Sequence, residues 1–79
     1  MRITVKAFNE TRRFTAHLPP DGKLALEKGG NVKRVLDGLG IAEDIQGKLV
    51  LFCNGRPATQ ATQLCEGDHL VLMEPMSGG

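Results

Sequence analysis

Residues 69–79, His-Leu-Val-Leu-Met-Glu-Pro-Met-Ser-Gly-Gly, join an apolar run to a short ending that proline introduces. The run predicts a strand from His69 to Glu74, in which Leu70 and Leu72 point to one face because side chains alternate along a strand. Pro75 ends the strand, since proline has no N–H to donate to a sheet ladder. We therefore expect a folded domain over residues 1–74 that ends in a central strand.

The last five residues, 75–79, are predicted to form a flexible tail. Extended, they reach about 16 to 18 Å, which is long enough to enter the active-site cleft of another protein. Gly78 and Gly79 have no Cβ, so they fit a narrow slot. Pro75, Met76 and Ser77 would be threaded with them. The alternative is an ordinary frayed terminus.

Length and composition limit the chain to one small domain. Its 79 residues, 41% of them hydrophobic and none of them Trp or Tyr, predict a single aliphatic core without room for an enclosed active site. No apolar stretch approaches the roughly 18 to 20 residues of a membrane span, and the alternating start does not resemble a signal peptide. We expect a cytoplasmic protein that does not bind membranes.

Charge and cysteine content exclude several function classes. Residues 1–34 carry eight basic and three acidic side chains, and residues 35–79 carry two basic and six acidic ones. Nucleic-acid binding is disfavoured because no aromatic platform lies amid the basic residues and the sequence pI is not above 9. Cys53 and Cys65 are expected to be free thiols, and His17 and His69 ordinary surface residues. None of them has the clustered partners of a metal site, so no metal and no bound cofactor are expected.

The remaining secondary structure follows from periodicity and turn residues. Strands are predicted over residues 2–8, 23–27 and 48–53, with a short edge strand near 56–59 after the Asn54-Gly55 turn. Residues 9–22 are a surface excursion or an extra hairpin arm. A short helix begins after the N-cap Asn31 and ends at Gly40, and its apolar stripe is Val32, Val35, Leu36 and Leu39. Glu43 and Asp44 fall in an acidic loop.

These elements predict an α+β fold, a mixed sheet of four or five strands with the helix across one face. The last strand lies beside the first and parallel to it, which is the β-grasp arrangement of ubiquitin-like domains. Alternation then places a group of side chains on the uncovered face of the sheet. That group favours a docking surface and comprises Thr4, Lys6, Phe8, Val71 and Met73.

The sequence resembles the ubiquitin-like sulfur carriers of the MoaD/ThiS family, and the small subunit of molybdopterin synthase in particular. Phe8 with Arg12, the helix start at Asn31-Val32, and residues 50–56 (Val-Leu-Phe-Cys-Asn-Gly-Arg) carry the resemblance. The turn Leu64-x-Glu66-Gly67-Asp68 and the ending Pro75-x-x-Gly78-Gly79 complete it. The stretch after Phe8 departs from the family pattern: it keeps the first arginine, and Arg13 stands where glutamate is common.

The resemblance implies a carrier rather than an enzyme. In such carriers the terminal carboxylate, here that of Gly79, is adenylated by an E1-like enzyme that uses ATP, and it is then converted to a thiocarboxylate. The implied partners are that enzyme and the large subunit of molybdopterin synthase, with Phe8, Arg12, Val71 and Met73 guiding docking. Three alternatives stay open: a carrier for thiamine thiazole synthesis, a ubiquitin-like protein modifier, and a binding module that ignores the tail.

Overall fold

A computed structural model describes residues 1–75. Within them, five strands form one sheet: β1 (Arg2–Ala7), β2 (Lys23–Ala25), β3 (Val50–Cys53), β4 (Arg56–Ala58) and β5 (His69–Met73). The order across the sheet is β2-β1-β5-β3-β4. β5 runs parallel to β1 and antiparallel to β3, and the two outer pairs are antiparallel. The predicted β-grasp arrangement, with the last strand at the centre, is confirmed.

The helix α1 (Val32–Gly38) lies across one face of this sheet. Asn31 caps it as expected, because its side-chain oxygen accepts a hydrogen bond from the Arg34 N–H at 3.1 Å. Gly40 has a φ of +77°, the left-handed conformation that ends many helices. The core between helix and sheet is aliphatic. Its buried members are Ile3, Val5, Val32, Val35, Leu36, Leu39, Ile41, Leu51, Leu64, Leu70 and Leu72.

Residues 9–22 form no extra hairpin arm. Asn9–Thr15 is a 3₁₀ helix, and turns lead from it to β2. Gly22 lies so close to β1 that a Cβ there would stand 2.4 Å from the carbonyl oxygen of Val5. Only glycine fits this approach, and its φ of +73° also suits glycine. The segment is thus a surface excursion held against the first strand.

Two further predictions need correction. The acidic loop at Glu43 and Asp44 is a one-turn helix, α2 (Glu43–Gln46), because buried Gln46 and the carbonyl of Ala42 hold the turn. The second and third strands are shorter than expected, since β2 ends at Ala25 and β3 begins at Val50. The Asn54-Gly55 turn is confirmed, with φ of 53° and 81° at its two central residues.

Candidate functional site

The candidate site begins where the chain leaves the central strand β5. Its core-facing residues Leu70 and Leu72 are fully buried, so the strand is fixed up to its last residues. Glu74 and Pro75 follow outside the strand, and Pro75 is exposed. Met76, Ser77, Gly78 and Gly79, which the sequence predicts to be threaded or chemically modified, lie outside the described residues.

Thr11 connects the 3₁₀ helix to the end of β5. We call this end of the strand, where the chain continues into the tail, the exit. Its side chain is fully buried, and its hydroxyl oxygen lies 2.6 Å from the carbonyl oxygen of Phe8 and 3.1 Å from that of Leu72. The same oxygen accepts a hydrogen bond from the Phe8 N–H at 3.1 Å. Phe8 also donates its N–H to Leu72 at 3.2 Å. One hydroxyl therefore joins the ends of β1 and β5.

Arg13 extends this connection beyond the strand. One guanidinium nitrogen lies 3.4 Å from a carboxylate oxygen of Glu74, and another donates to the carbonyl of Glu10 at 2.6 Å. The guanidinium stacks on the ring of Phe14, 4.4 Å from its centroid. Arg13 is thus oriented on three sides. It holds the first residue after β5 against the 3₁₀ helix.

A groove of about 250 Å³ lies beside the exit, between the 3₁₀ helix and α2. Ile45 and Leu49 give it an apolar floor, and Arg13 and Lys48 give it positive charge. Glu74 and Pro75 line it too.

The uncovered face of the sheet carries the predicted docking residues. Phe8 is 47% exposed, and Val71 and Met73 are half-buried on the face opposite α1. Arg12 is exposed on the 3₁₀ helix. The structure thus brings Phe8 and Met73 to the end of the sheet where the tail leaves.

The sequence interpretation missed two members of this face. Phe52 pairs with Val71, and Val50 pairs with Met73, so both lie on the uncovered side while Leu51 faces the core. In an all-apolar run such as residues 49–53, alternation does not show which residues face inwards. Only the pairing with β5 decides it. Thr11 and Arg13 were also missed, and no sequence pattern marks either.

Cys53, Cys65 and His69 lie near the start of β5, at the other end of the strand from this exit. Both cysteines are free, and burial raises the pKa of the Cys53 thiol, which lowers the fraction of reactive thiolate at neutral pH. Asp68 accepts a hydrogen bond from the Asn54 side chain at 2.9 Å, and chiefly for this reason its pKa is lowered. Residues 1–75 contain no group of three His, Cys, Asp or Glu side chains that could hold a metal.

Comparison with known proteins shows the family. The family model that matches is that of the ThiS family, and it covers residues 5–79. The chain belongs to the ThiS family. Its members are small ubiquitin-like proteins of the sulfur-carrier and modifier type, generally without enzymatic activity of their own. No curated protein shows a significant match to the sequence.

Solved structures show the same fold at low identity. SAMP1 from Haloferax volcanii is 19% identical, with a TM-score of 0.73 over 100% of both chains. A candidate molybdopterin converting factor subunit 1 from Pyrococcus furiosus is 17% identical, with a TM-score of 0.74 over 96% of this chain and 99% of the other. Urm1 from Trypanosoma brucei is 16% identical, with a TM-score of 0.65 over 99% and 95%. This ThiS-family chain is therefore a ubiquitin-like β-grasp domain.

The helices of this domain are short. None of those within residues 1–75 has the length and apolar character needed to cross a membrane.

Proposed function

We propose that this ThiS-family chain carries sulfur as a thiocarboxylate on Gly79. The observation that carries the proposal is the family match, which extends through the terminal Gly78-Gly79. The arrangement of the domain supports it: the tail follows the central strand β5, whose end is tied to β1 by Thr11. A terminus placed this way is presented from a fixed point on a rigid sheet.

The chemistry proceeds in two steps, both on a partner enzyme. An ionised carboxylate is a poor electrophile, so the Gly79 carboxylate first attacks the α-phosphorus of ATP, releases pyrophosphate and forms an acyl-adenylate. A nucleophile that supplies sulfur at the oxidation level of hydrosulfide then forms a C–S bond at the acyl carbon as AMP leaves. The carrier supplies the carboxylate, and the E1-like partner supplies the catalytic groups. No cofactor needs to bind to this chain.

The exposed residues around the exit suit docking to such a partner. Phe8 offers an apolar ring, Val71 and Met73 continue the apolar surface, and Arg12 adds an exposed charge on the 3₁₀ helix. Apolar side chains clustered on one uncovered sheet face are a common sign of a protein interface. Methionine adapts its shape readily, which suits a surface that serves an activating enzyme first and a sulfur acceptor second.

Intact mass spectrometry tests the proposal. The protein is incubated with ATP, its activating enzyme and sulfide, and thiocarboxylate formation is expected to add about 16 Da, the difference between sulfur and oxygen. Deletion of Gly79 removes the reacting residue and should abolish the gain. Gln63→Ala, an exposed substitution that leaves the whole tail unchanged, is the control and should show the full gain. An unchanged wild-type mass with an enzyme that activates other carriers would refute the proposal.

We place the sulfur acceptor in molybdopterin or tungstopterin synthesis. The presence of Phe8 and the length of the chain are features that the synthase small subunit also has. The structural similarity to the Pyrococcus furiosus protein, a candidate molybdopterin converting factor subunit, supports the same pathway. The large subunit of molybdopterin synthase would then be the second partner. Mixing the thiocarboxylate form with this subunit and a pterin precursor should yield the dithiolene product. Transfer to a thiazole synthase instead would assign the chain to the thiamine branch.

A protein modifier is the second candidate function. The similarity to SAMP1, a small archaeal modifier protein, covers both chains completely. A modifier would pass the activated Gly79 carbonyl to a lysine amine and form an isopeptide bond. Tryptic digests of cell extract would then contain lysines with a branch derived from this tail. If no such lysines are found while the wild-type protein still forms the thiocarboxylate, the modifier function is rejected and the carrier function is kept.

A further inference from the structure

The uncovered sheet face has a basic half beside its apolar half. Along β1, Arg2 and Lys6 alternate with the buried residues Ile3 and Val5, so they point away from the core. On β2, Lys23 pairs with Thr4 and lies on the same side. We define the basic half by Arg2, Lys6 and Lys23, all of them exposed.

The apolar half lies on β5, β3 and β4. Register places the two halves in one continuous row, because Lys6 pairs with Val71, Val71 with Phe52, and Phe52 with Pro57. We define the apolar half as Val50, Phe52, Pro57, Val71 and Met73. The cation Lys6 therefore stands directly beside the middle of the apolar half.

The basic half forms no salt bridge within the described chain, although acidic side chains lie beside two of its members. None of the salt bridges among residues 1–75 involves Arg2, Lys6 or Lys23. Two acids lie in neighbouring turns and bond to backbone: Glu66 accepts the Arg2 N–H at 3.1 Å, and Asp21 accepts the Lys23 N–H at 3.1 Å. Among the strands of residues 1–75, no residue on the uncovered face is Asp or Glu.

The helix-covered side differs in this respect. There, Lys33 is bound by two carboxylates, with its ammonium nitrogen 3.4 Å from Asp37 and 3.0 Å from Glu43. The charge of Lys33 is thus compensated by the chain's own acids. The cations of the basic half have no such side-chain partner among the described residues.

We propose that the uncovered face binds a protein surface whose apolar centre is flanked by acidic side chains, which lie against Arg2, Lys6 and Lys23. This deepens the proposed function, since the partner meant is the activating enzyme. The apolar half supplies the buried contact of the interface, and the basic half sets its orientation and speeds association through long-range attraction. A nucleic acid suits the face less well, because no aromatic side chain stands among the three cations to stack on bases.

The test measures binding of the purified carrier to the activating enzyme with ATP omitted, so that it does not depend on thiocarboxylate formation. The double variant Lys6→Glu/Lys23→Glu should weaken binding about 10-fold or more at low salt, and the loss should shrink towards 0.5 M NaCl, because salt screens exposed charges. Phe52→Ser should weaken binding by a similar factor at every salt concentration.

Lys28→Glu/Arg34→Glu is the matched control, because this double variant makes the same charge change on two exposed residues outside the sheet. It should bind within about twofold of the wild type. Circular dichroism melting should show all variants folded. Equal binding by Lys6→Glu/Lys23→Glu and by Lys28→Glu/Arg34→Glu would overturn the inference, as would tight binding of the wild type to a single-stranded RNA that Lys6→Glu/Lys23→Glu loses.

The same experiment separates this inference from the proposed function. Wild-type binding without any mass gain on addition of ATP and sulfide refutes the thiocarboxylate. A mass gain with unchanged binding by Lys6→Glu/Lys23→Glu refutes only the acidic partner surface.

Discussion

At the scale of single residues, the exit of the tail depends on one hydroxyl. Thr11 is buried and lies within hydrogen-bonding distance of Phe8 and Leu72. A Thr11→Val substitution keeps the shape but removes the hydroxyl, and we expect it to lower the free energy of unfolding by about 1 to 3 kcal/mol. Urea denaturation measures this. Thr15→Val, which loses one exposed hydrogen bond to Arg12, is the control and should cost less than about 1 kcal/mol.

The ion pair between Arg13 and Glu74 is a second interaction of single residues at the exit. Both side chains are partly solvated, at 51% and 34% exposure, so the pair should contribute only about 0.2 to 1 kcal/mol. A double-mutant cycle with Arg13→Gln and Glu74→Gln measures this coupling by urea denaturation. The coupling should fall in 0.5 M NaCl. A coupling of zero at low salt would contradict this contribution, since the packing of Arg13 on Phe14 cancels in the cycle.

Asp68 gives the fold a pH dependence of known sign. Because its pKa in the folded protein is lowered, chiefly by the hydrogen bond from Asn54, the unfolded chain binds its proton more readily. Asp68 therefore stabilises the fold above about pH 4, and this contribution is lost as the pH falls through the folded pKa. Between pH 6 and pH 3, wild-type protein should lose more unfolding free energy than Asp68→Asn. Equal losses would contradict the assignment.

At the scale of elements, one buried side-chain amide connects the two helices to a neighbouring loop. Gln46 is 1% exposed, donates to Asp37 and to the carbonyl of Ile41 at 2.8 Å each, and accepts from Gln60 at 2.9 Å. It thereby connects α2, the end of α1 and the loop after β4. This explains why the acidic segment at Glu43 forms a helix although its sequence suggests a loop.

Gln46→Ala should accordingly cost about 2 to 3 kcal/mol, since it leaves buried polar groups without partners. Thermal and urea unfolding both report the loss. The exposed Gln63, whose side chain donates to a single carbonyl, offers the comparison, and Gln63→Ala should cost under about 1 kcal/mol. Similar losses in the two variants would mean that Gln46 does not hold the layer together.

At the scale of the whole molecule, folding and chemistry should be separable. The buried core draws on residues between Ile3 and Leu72, so the domain boundary predicted at Glu74 leaves the core intact. Deletion of residues 76–79 should change the free energy of unfolding in urea by less than about 0.5 kcal/mol while abolishing thiocarboxylate formation. A large loss of stability would show that the tail belongs to the folded domain.

The sequence by itself determined most of the strand pattern and the capped helix, and the order of these elements indicated the β-grasp class. The strands and the helix follow from local signals: the alternation of Ile3 and Val5, the cap at Asn31, the Asn54-Gly55 turn and the proline that follows Glu74. The terminal Gly78-Gly79 and the family resemblance likewise indicate the carrier class from the order of the residues alone.

Only the tertiary structure decided how the site is arranged around the exit. In the apolar run of β3, alternation has no polar residue to orient it, so pairing with Val71 was needed to place Phe52 on the uncovered face. Thr11 and Arg13 act across long sequence separations, on Leu72 and Glu74, and such contacts leave no periodic trace in the chain. The basic half beside the apolar half is of the same kind, because it depends on β1 lying between β2 and β5.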